Sequence, residues 1–183
     1  ARLKKDKAHD IKAVCVVHNE TSTGARTWID EIRKAMDGAK HPALLMVDAV
    51  SSLAAMDFRH DEWGVDVAVS GSQKGLMLPP GLSFTAVSQK ALAASKKATL
   101  PRSYWNWEDM IAINTAGTFP YTPAIGQLYG LAEAIAMLHE EGLDNVFARH
   151  ERLAEATRRA VRGWGLETWC RDPRSHSPAV TAV

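Results

Sequence analysis

The sequence predicts an α/β protein built around a mostly parallel β-sheet. Three short apolar runs, at residues 11–17, 43–50 and 65–70, are rich in β-branched residues and lack polar alternation, which is typical of buried strands. A segment with helical periodicity, residues 27–39, separates the first two runs. Strand, helix and strand in this order form a βαβ unit, so we expect a parallel sheet with helices covering both faces.

The next elements follow in order along the chain. Residues 82–87 are a fourth apolar run, and residues 89–97 have the pattern of a short helix. Residues 114–123 contain glycine and proline without periodicity, which predicts a long loop. Residues 124–141 place apolar side chains on one face of a helix of about five turns, and a second helix runs from residue 143 to about residue 162.

The last part of the chain differs from the rest in its sequence pattern. A glycine-flanked corner at residues 163–165 leads to two apolar segments, residues 166–170 and 179–183, which we expect to be strands of a different unit. We therefore predict a larger domain at residues 1–142. Residues 143–183 are predicted to be a linking helix and the start of a smaller domain.

Composition limits the classes of function. The 22 Lys and Arg residues nearly balance the 21 Asp and Glu residues, giving a formal charge of +1 with no polybasic run. Binding to nucleic acid is therefore disfavoured, and so is a membrane span, since no apolar stretch approaches the ~18 residues it needs. Two distant cysteines, Cys15 and Cys170, form neither a disulfide framework nor a zinc spacing, which favours a reducing cytoplasm.

The two ends of the sequence also carry an expectation. Residues 2–7 are charged and lack the apolar core of a signal peptide, and residues 178–183 stop in the middle of a predicted strand. We expect the chain to be a piece of a longer polypeptide.

Polar residues follow three of the predicted strands directly. Residues 18–24 read His-Asn-Glu-Thr-Ser-Thr-Gly, Asp48 follows an apolar run without a polar transition, and residues 70–75 read Ser-Gly-Ser-Gln-Lys-Gly. Ligands of open parallel sheets bind at the carboxyl ends of the strands. We therefore expect the three segments to meet in one crevice.

The residue types in that crevice point to one kind of cofactor. A strand-end carboxylate needs a cationic partner, and a lysine among apolar walls becomes a usable amine nucleophile. A protonated pyridine ring that carries an aldehyde would satisfy Asp48 and Lys74 together, as pyridoxal phosphate does. The alternatives are that Asp48 caps a short helix, that Lys74 is a surface lysine, and that residues 21–24 are an ordinary turn.

Other catalytic patterns are weaker. The seven histidines are scattered without metal-ligand spacing, so surface or capping roles are favoured and no metal is predicted. Residues 71–75 lack both the P-loop order and the nucleophile-elbow order, which disfavours nucleotide hydrolysis and serine-hydrolase chemistry. Trp105 and Trp107 are expected to pack against the domain rather than to stack on a ligand.

The same motifs resemble a known family, the class V pyridoxal-phosphate aminotransferases. Residues 18–24 are similar to the family's His-x-Glu-[Ser/Thr]-Ser-Thr-Gly loop, residues 47–53 to its cofactor-aspartate strand, and residues 70–74 to its Schiff-base segment. The likeness covers essentially all 183 residues. It implies a pyridoxal-phosphate transferase of fold type I, in which residues 1–142 belong to the large cofactor-binding domain and residues 143–183 begin a small α+β domain.

The resemblance also implies a reaction. It implies a transaminase that moves the amino group of L-serine to glyoxylate and gives hydroxypyruvate and glycine. Alanine or another small amino acid is an alternative donor, and a non-catalytic binding or dimerisation module is a second alternative. In the related cysteine desulfurases the residue before the lysine is His, so Gln73 at that position counts against that lyase branch.

Matched residue by residue, the family assigns roles around the cofactor. Lys74 would form the Schiff base with the pyridoxal 5'-phosphate aldehyde, and Asp48 would pair with the ring nitrogen. Val50 would pack on one face of the ring, and Thr21 would donate a hydrogen bond toward the phenolic oxygen. Gln73 would help to hold the phosphate.

Two further expectations come from the family. Its members are homodimers, in which Thr122 would reach the phosphate of the neighbouring subunit. Phe119 stands where some relatives have a tyrosine at that contact, and Tyr121 is the substitute that this sequence offers. The family's glycine-rich phosphate loop and its substrate-carboxylate arginine have no match within these residues.

Overall fold

The computed structural model describes residues 1–183. Its strands are β1 (Ala13–Val17), β2 (Asn19–Glu20), β3 (Ala25–Arg26), β4 (Leu44–Asp48), β5 (Val67–Gly71) and β6 (Ser83–Val87). Its helices are α1 (Arg2–Lys5), α2 (Ile29–Gly38), α3 (Gln89–Lys96), α4 (Trp107–Thr115), α5 (Ile125–Glu141) and α6 (Leu143–Gly163), followed by a 3₁₀ turn at Pro173–Ser175. None of the helices has the length and apolar character that crossing a bilayer requires.

The main sheet has four strands in the order β1-β4-β5-β6, and β2 and β3 form a separate antiparallel hairpin. The pairs β1-β4 and β4-β5 are parallel, which confirms the predicted βαβ unit around α2. Strand β6 is antiparallel to β5. Only residues 72–82 connect these two strands, and a parallel crossover needs a connection of about a dozen residues or more.

The carboxyl ends of β1, β4 and β5 lie side by side. Val17 is opposite Asp48, and Asp48 is opposite Val69. The His18 N–H donates to the carbonyl oxygen of Asp48 at 2.9 Å, and the Ala49 N–H donates to that of Val69 at 2.9 Å. The carboxyl ends of the three strands therefore share one edge of the sheet, which the prediction of a common crevice requires.

Apolar burial is divided between two clusters. In the first, Ile29 and Met36 of α2 pack against Leu45 and Val47 of β4 and stabilise one face of the sheet. The second cluster joins the loops that follow β4 and β5 to the two long helices, and its buried members are Ala54, Leu76, Leu78, Ala134, Leu138 and Val146. The second cluster anchors the loops that carry the candidate site.

The expectation that helices cover both faces of the sheet is wrong for part of it. Cys15 is exposed, and Val17 and Val69 keep 40% of their surface accessible. Alternate strand residues point to opposite faces, and Val14 and Val16 take the side that packs on the first cluster. Cys15 and Val17 point to the opposite face of the sheet, which nothing in this chain covers at these positions.

Helix α4 is absent from the sequence-based prediction. It begins after Asn106, whose side-chain oxygen accepts a hydrogen bond from the Glu108 N–H at 3.3 Å, but none of its residues is buried. The long loop is accordingly shorter than predicted and begins after Thr115. Trp105 is 73% exposed and packs edge-on against Tyr104, so the expectation that it packs against the domain is wrong.

The two strands predicted near the end of the chain do not form. Residues 166–170 and 179–183 are joined by a single backbone hydrogen bond, from the Trp169 N–H to the Ala182 carbonyl oxygen at 2.9 Å. A strand needs a continuous ladder with a neighbouring strand, and no such neighbour lies beside them. The predicted domain boundary between residues 142 and 143 stays a prediction. Across it, Val146 of α6 packs in the second cluster with residues of α5.

Candidate active site

A cavity of about 350 Å³ opens at the carboxyl edge of the sheet. The loops that follow β1, β4 and β5 contribute to its wall, and residues of α5 and α6 and residues 179–180 complete it. The polar residues of the wall are Asn19, Thr21, Ser51, Lys74, Arg149 and His150. Its volume is in the range of pockets that hold small ligands.

The structure brings two of the predicted site residues, Thr21 and Lys74, to the wall of this cavity. Asp48 and half-buried Val50 immediately precede Ser51, which lines the cavity, although they do not line it themselves. Predicted residues from three different loops therefore lie at one edge of the sheet.

The other two predicted residues are placed differently. Gln73 is exposed beside Lys74, and its side chain folds back over Gly71, where an added Cβ would be 2.9 Å from its Oε1. Thr122 is exposed in the loop before α5 and does not line the cavity. Within one chain, therefore, Thr122 is not brought to the other predicted residues.

Asp48 ends β4 with its carboxylate only partly used. Its Oδ1 accepts a hydrogen bond from the Val50 N–H at 2.9 Å, while Oδ2 has no partner in the chain. The residues that follow form turns rather than a helix, so the alternative in which Asp48 caps a helix is wrong. An exposed strand-end carboxylate with a free oxygen is available to a cationic ligand.

Lys74 lies on a turn that the surrounding backbone holds in place. Fully buried Ser72 donates its hydroxyl to the Pro79 carbonyl oxygen at 2.7 Å and accepts from the Leu82 N–H at 3.2 Å. On the other side, a Cβ at Gly75 would lie 2.2 Å from the Leu53 carbonyl oxygen, so only glycine fits there. The backbone of Lys74 is thus fixed while its side chain is exposed to the cavity.

Asn19 and Ser51 join the loops that follow β1 and β4. The Asn19 amide nitrogen donates to the Ser51 carbonyl oxygen at 3.3 Å and to its hydroxyl at 3.1 Å, and that hydroxyl donates to the Asn19 carbonyl oxygen at 3.0 Å. No role was predicted for either residue, although Asn19 lies within the motif at residues 18–24 and Ser51 within that at residues 47–53. The pair holds the Thr21 loop beside the loop after Asp48.

Helix α6 brings a second cation, Arg149, to the cavity wall. Its guanidinium group donates to both carboxylate oxygens of Glu141, at 2.7 and 2.8 Å, and this hydrogen-bonded pairing lowers the pKa of Glu141. The neighbouring His150 donates from Nδ1 to the Val146 carbonyl oxygen at 2.8 Å. Because Arg149 is already paired, Lys74 is the cation of the wall that remains free to react.

His18 is a buried residue in the segment that leads from β1 to Thr21. It is 4% exposed, and its ring packs against Phe58 and Trp63 with centroid distances of 5.5 and 6.0 Å. The pKa of His18 falls from 6.5 to about 4, chiefly because burial disfavours the imidazolium and also because Arg26 is nearby, with Asp57 acting in the opposite direction.

Acid is therefore expected to destabilise the protein through His18. The unfolded chain binds a proton below pH 6.5, whereas the folded chain does so only below about pH 4, so protonation favours unfolding throughout that interval. We expect the free energy of unfolding to fall by about 3 kcal/mol between these limits, and full stability to be present above pH 6.5.

Urea unfolding of the complete protein across this interval measures the effect. His18→Phe keeps the aromatic contacts and cannot titrate, so its stability should depend less on pH by that amount. His139→Phe, at an exposed position, is the control and should follow the wild type. Equal pH dependence in the wild type and in His18→Phe would contradict the assignment.

Comparison with known proteins gives a consistent match. The family model for aminotransferase class-V matches residues 1–183. A serine–glyoxylate aminotransferase from Methylorubrum extorquens is 55% identical over 99% of this chain and 46% of its own length. An L-aspartate–glyoxylate aminotransferase from Paracoccus denitrificans is 49% identical over 99% of this chain and 46% of its own length. The chain thus spans about half the length of the curated relatives it matches.

A solved structure gives the same match in three dimensions. The crystal structure of an alanine–glyoxylate aminotransferase from Nostoc sp. superposes with a TM-score of 0.85 at 29% identity. The superposition covers 98% of this chain and 48% of that one.

Proposed function

Since the chain belongs to the class-V aminotransferases, as its motifs predicted, we propose that the complete protein is a transaminase that uses glyoxylate as the amino acceptor. Its α/β architecture is that of the pyridoxal-phosphate-dependent transferases of fold type I. We propose L-serine as the amino donor, with hydroxypyruvate and glycine as products. One observation carries the proposal. The amine of Lys74 is exposed to the cavity from a fixed turn, at the same edge of the sheet where Asp48 ends β4.

The family implies pyridoxal phosphate as the cofactor, and the residues present fit it. Bound there, the cofactor would withdraw electrons and stabilise the negative charge that develops when an amino acid loses its Cα proton. Lys74 offers an unpaired amine for its aldehyde, and the free Oδ2 of Asp48 offers an acceptor for a protonated ring nitrogen. Thr21, Val50 and Gln73 lie in the adjoining loops and would contact its phenolic oxygen, ring face and phosphate, respectively.

The residues of the chain then have defined tasks. The Lys74 amine would hold the cofactor in the absence of an amino donor, and its Nζ, when free, would remove the proton from the donor Cα. In the second half of the reaction Nζ returns a proton to the Cα that becomes glycine. The carboxylate of Asp48 would favour a proton on the ring nitrogen, and Thr21 would help to orient the ring.

We also propose that the complete protein is a homodimer in which Thr122 reaches the neighbouring subunit's site. Thr122 lies among large apolar side chains that this chain leaves uncovered, because Trp105, Phe119 and Tyr121 are each about half exposed or more. Exposed apolar surface of this extent is typical of interfaces between subunits. Sedimentation of the complete protein tests the proposal.

Steady-state transfer to glyoxylate distinguishes the candidate donors. We expect the kcat/KM of the complete protein to be at least about tenfold higher with L-serine than with L-alanine or L-aspartate. A subsite that contacts the donor's side chain commonly discriminates between similar substrates to this extent. Hydroxypyruvate and glycine are measured as products. A preference for L-aspartate would indicate the donor specificity named for the 49% identical relative. The absence of any transfer would favour the alternative of a non-catalytic module.

A further inference from the structure

Ser177 is a fully buried residue whose polar groups are all occupied, and its partners lie on three different segments. Its N–H donates to the Gly24 carbonyl oxygen at 2.9 Å, and its carbonyl oxygen accepts from the Arg158 guanidinium at 3.1 Å. Its hydroxyl accepts from the N–H groups of Ala179 and Val180, at 3.0 and 3.1 Å. Ser177 thus connects the chain's last segment to α6 and to the turn that ends the Thr21 loop.

Ala179 and Val180 are part of the wall of the cavity that Thr21 and Lys74 also line. Both of their N–H groups donate to the Ser177 hydroxyl. That hydroxyl therefore fixes the turn by which residues 177–180 enter the cavity wall. No regular strand holds the segment, since residues 179–183 have no ladder partner. The position of the wall therefore depends on this side chain more than it would inside a sheet.

The contact with Gly24 is close on both sides. A Cβ at Gly24 would lie 3.0 Å from the Ala182 nitrogen and 3.3 Å from the Val180 carbonyl oxygen, and the positive φ of +65° also favours glycine. An isolated bridge between Ala25 and His176 extends the contact. The turn that ends the Thr21 loop and the last segment of the chain are therefore in direct contact at this junction.

We propose that Ser177 is a positioning residue that fixes the Ala179–Val180 wall against the Thr21 loop and thereby sets the space for the amino donor. The proposal rests on the function proposed above. Ser177 acts on the donor through the wall, and the attachment of cofactor to Lys74 does not involve it.

Kinetics of Ser177→Ala in the complete protein tests the proposal. The variant removes the acceptor of two partly buried N–H groups and leaves the backbone hydrogen bond between Ser177 and Gly24 in place. We expect the KM for the amino donor to rise about tenfold, with kcat within about twofold of the wild type and with cofactor attachment to Lys74 unchanged. Ser177→Thr keeps the hydroxyl and should restore the KM.

The matched control is Ser175→Ala. Ser175 lies two positions earlier and donates its hydroxyl to Asp172, away from the cavity wall. It should leave the KM unchanged. An unchanged KM in Ser177→Ala would overturn the proposal, and so would a loss of kcat and cofactor together, because that result indicates general support of the fold.

Amide hydrogen exchange tests the same junction without turnover. In Ser177→Ala we expect faster exchange at residues 179–180 and also at residues 21–25, whereas Ser175→Ala should match the wild type. Unchanged exchange at residues 21–25 would overturn the coupling. If the wild type transferred no amino group at all, the proposed function would fail while the exchange result would still decide whether Ser177 joins the two segments.

Discussion

Replacing Lys74 with alanine is expected to reduce amino-group transfer by about 10,000-fold or more while the protein stays folded. General acid–base groups contribute up to about 10,000-fold, and Lys74 is also proposed to hold the cofactor covalently. Its side chain is exposed on the cavity and contributes to neither apolar cluster, so its loss should change the free energy of unfolding by no more than about 0.5 kcal/mol.

Two measurements on the complete protein check this result. Turnover with L-serine and glyoxylate gives the activity, and borohydride reduction followed by peptide mapping locates any covalently attached pyridoxal phosphate. The wild type should carry the label on Lys74, and Lys74→Ala should carry none. Lys97→Ala, an exposed lysine after α3, is the matched control and should keep both label and turnover. Repeated turnover by Lys74→Ala would exclude Lys74 as the reacting amine.

The parts of the fold that sequence analysis predicted are those that local pattern determines. Buried parallel strands read as apolar runs, and the polar residue after each run marks its carboxyl end. Parallel strands place their carboxyl ends at one edge of a sheet, and the observed positions of Val17 opposite Asp48 and of Asp48 opposite Val69 agree with that expectation. For this reason the meeting of the three loops was predictable without any knowledge of contacts.

Elements whose formation depends on distant partners were predicted less well. Residues 166–170 and 179–183 have strand-like sequences, but β-propensity has no effect without a neighbouring ladder. Helix α4 was missed because no face of it is buried, so it lacks the apolar stripe by which helices are identified. Its Asn106 cap and the acidic residue Glu108 are the local signals that identify it.

The candidate site shows the same division. Lys74, Asp48 and Thr21 were found because each follows a strand, whereas Arg149 reaches the cavity only through the packing of α6 against α5. The local sequence around Arg149 contains no pattern that predicts its position in the cavity wall. The junction at Ser177 was likewise hidden, because its partners Gly24 and Arg158 are distant in sequence.

Asp48→Asn is expected to slow amino transfer by a factor of about 30 to 5,000. Losing one partner of a desolvated charge pair costs about 2 to 5 kcal/mol, and each 1.36 kcal/mol is a factor of ten in rate. The amide oxygen can still accept the Val50 N–H, so the turn after β4 and the fold should be retained. The variant therefore separates the charge of Asp48 from its structural bond.

The rate, the cofactor content and the stability of Asp48→Asn in the complete protein are measured together. The amide has no negative charge to keep a proton on the ring nitrogen, so we expect kcat to fall while pyridoxal phosphate stays attached to Lys74. Asp61→Asn, at an exposed aspartate outside the cavity wall, should behave as the wild type. A rate near that of the wild type in Asp48→Asn, combined with unfolding of Asp48→Ala, would show that Asp48 serves only to hold the Val50 turn.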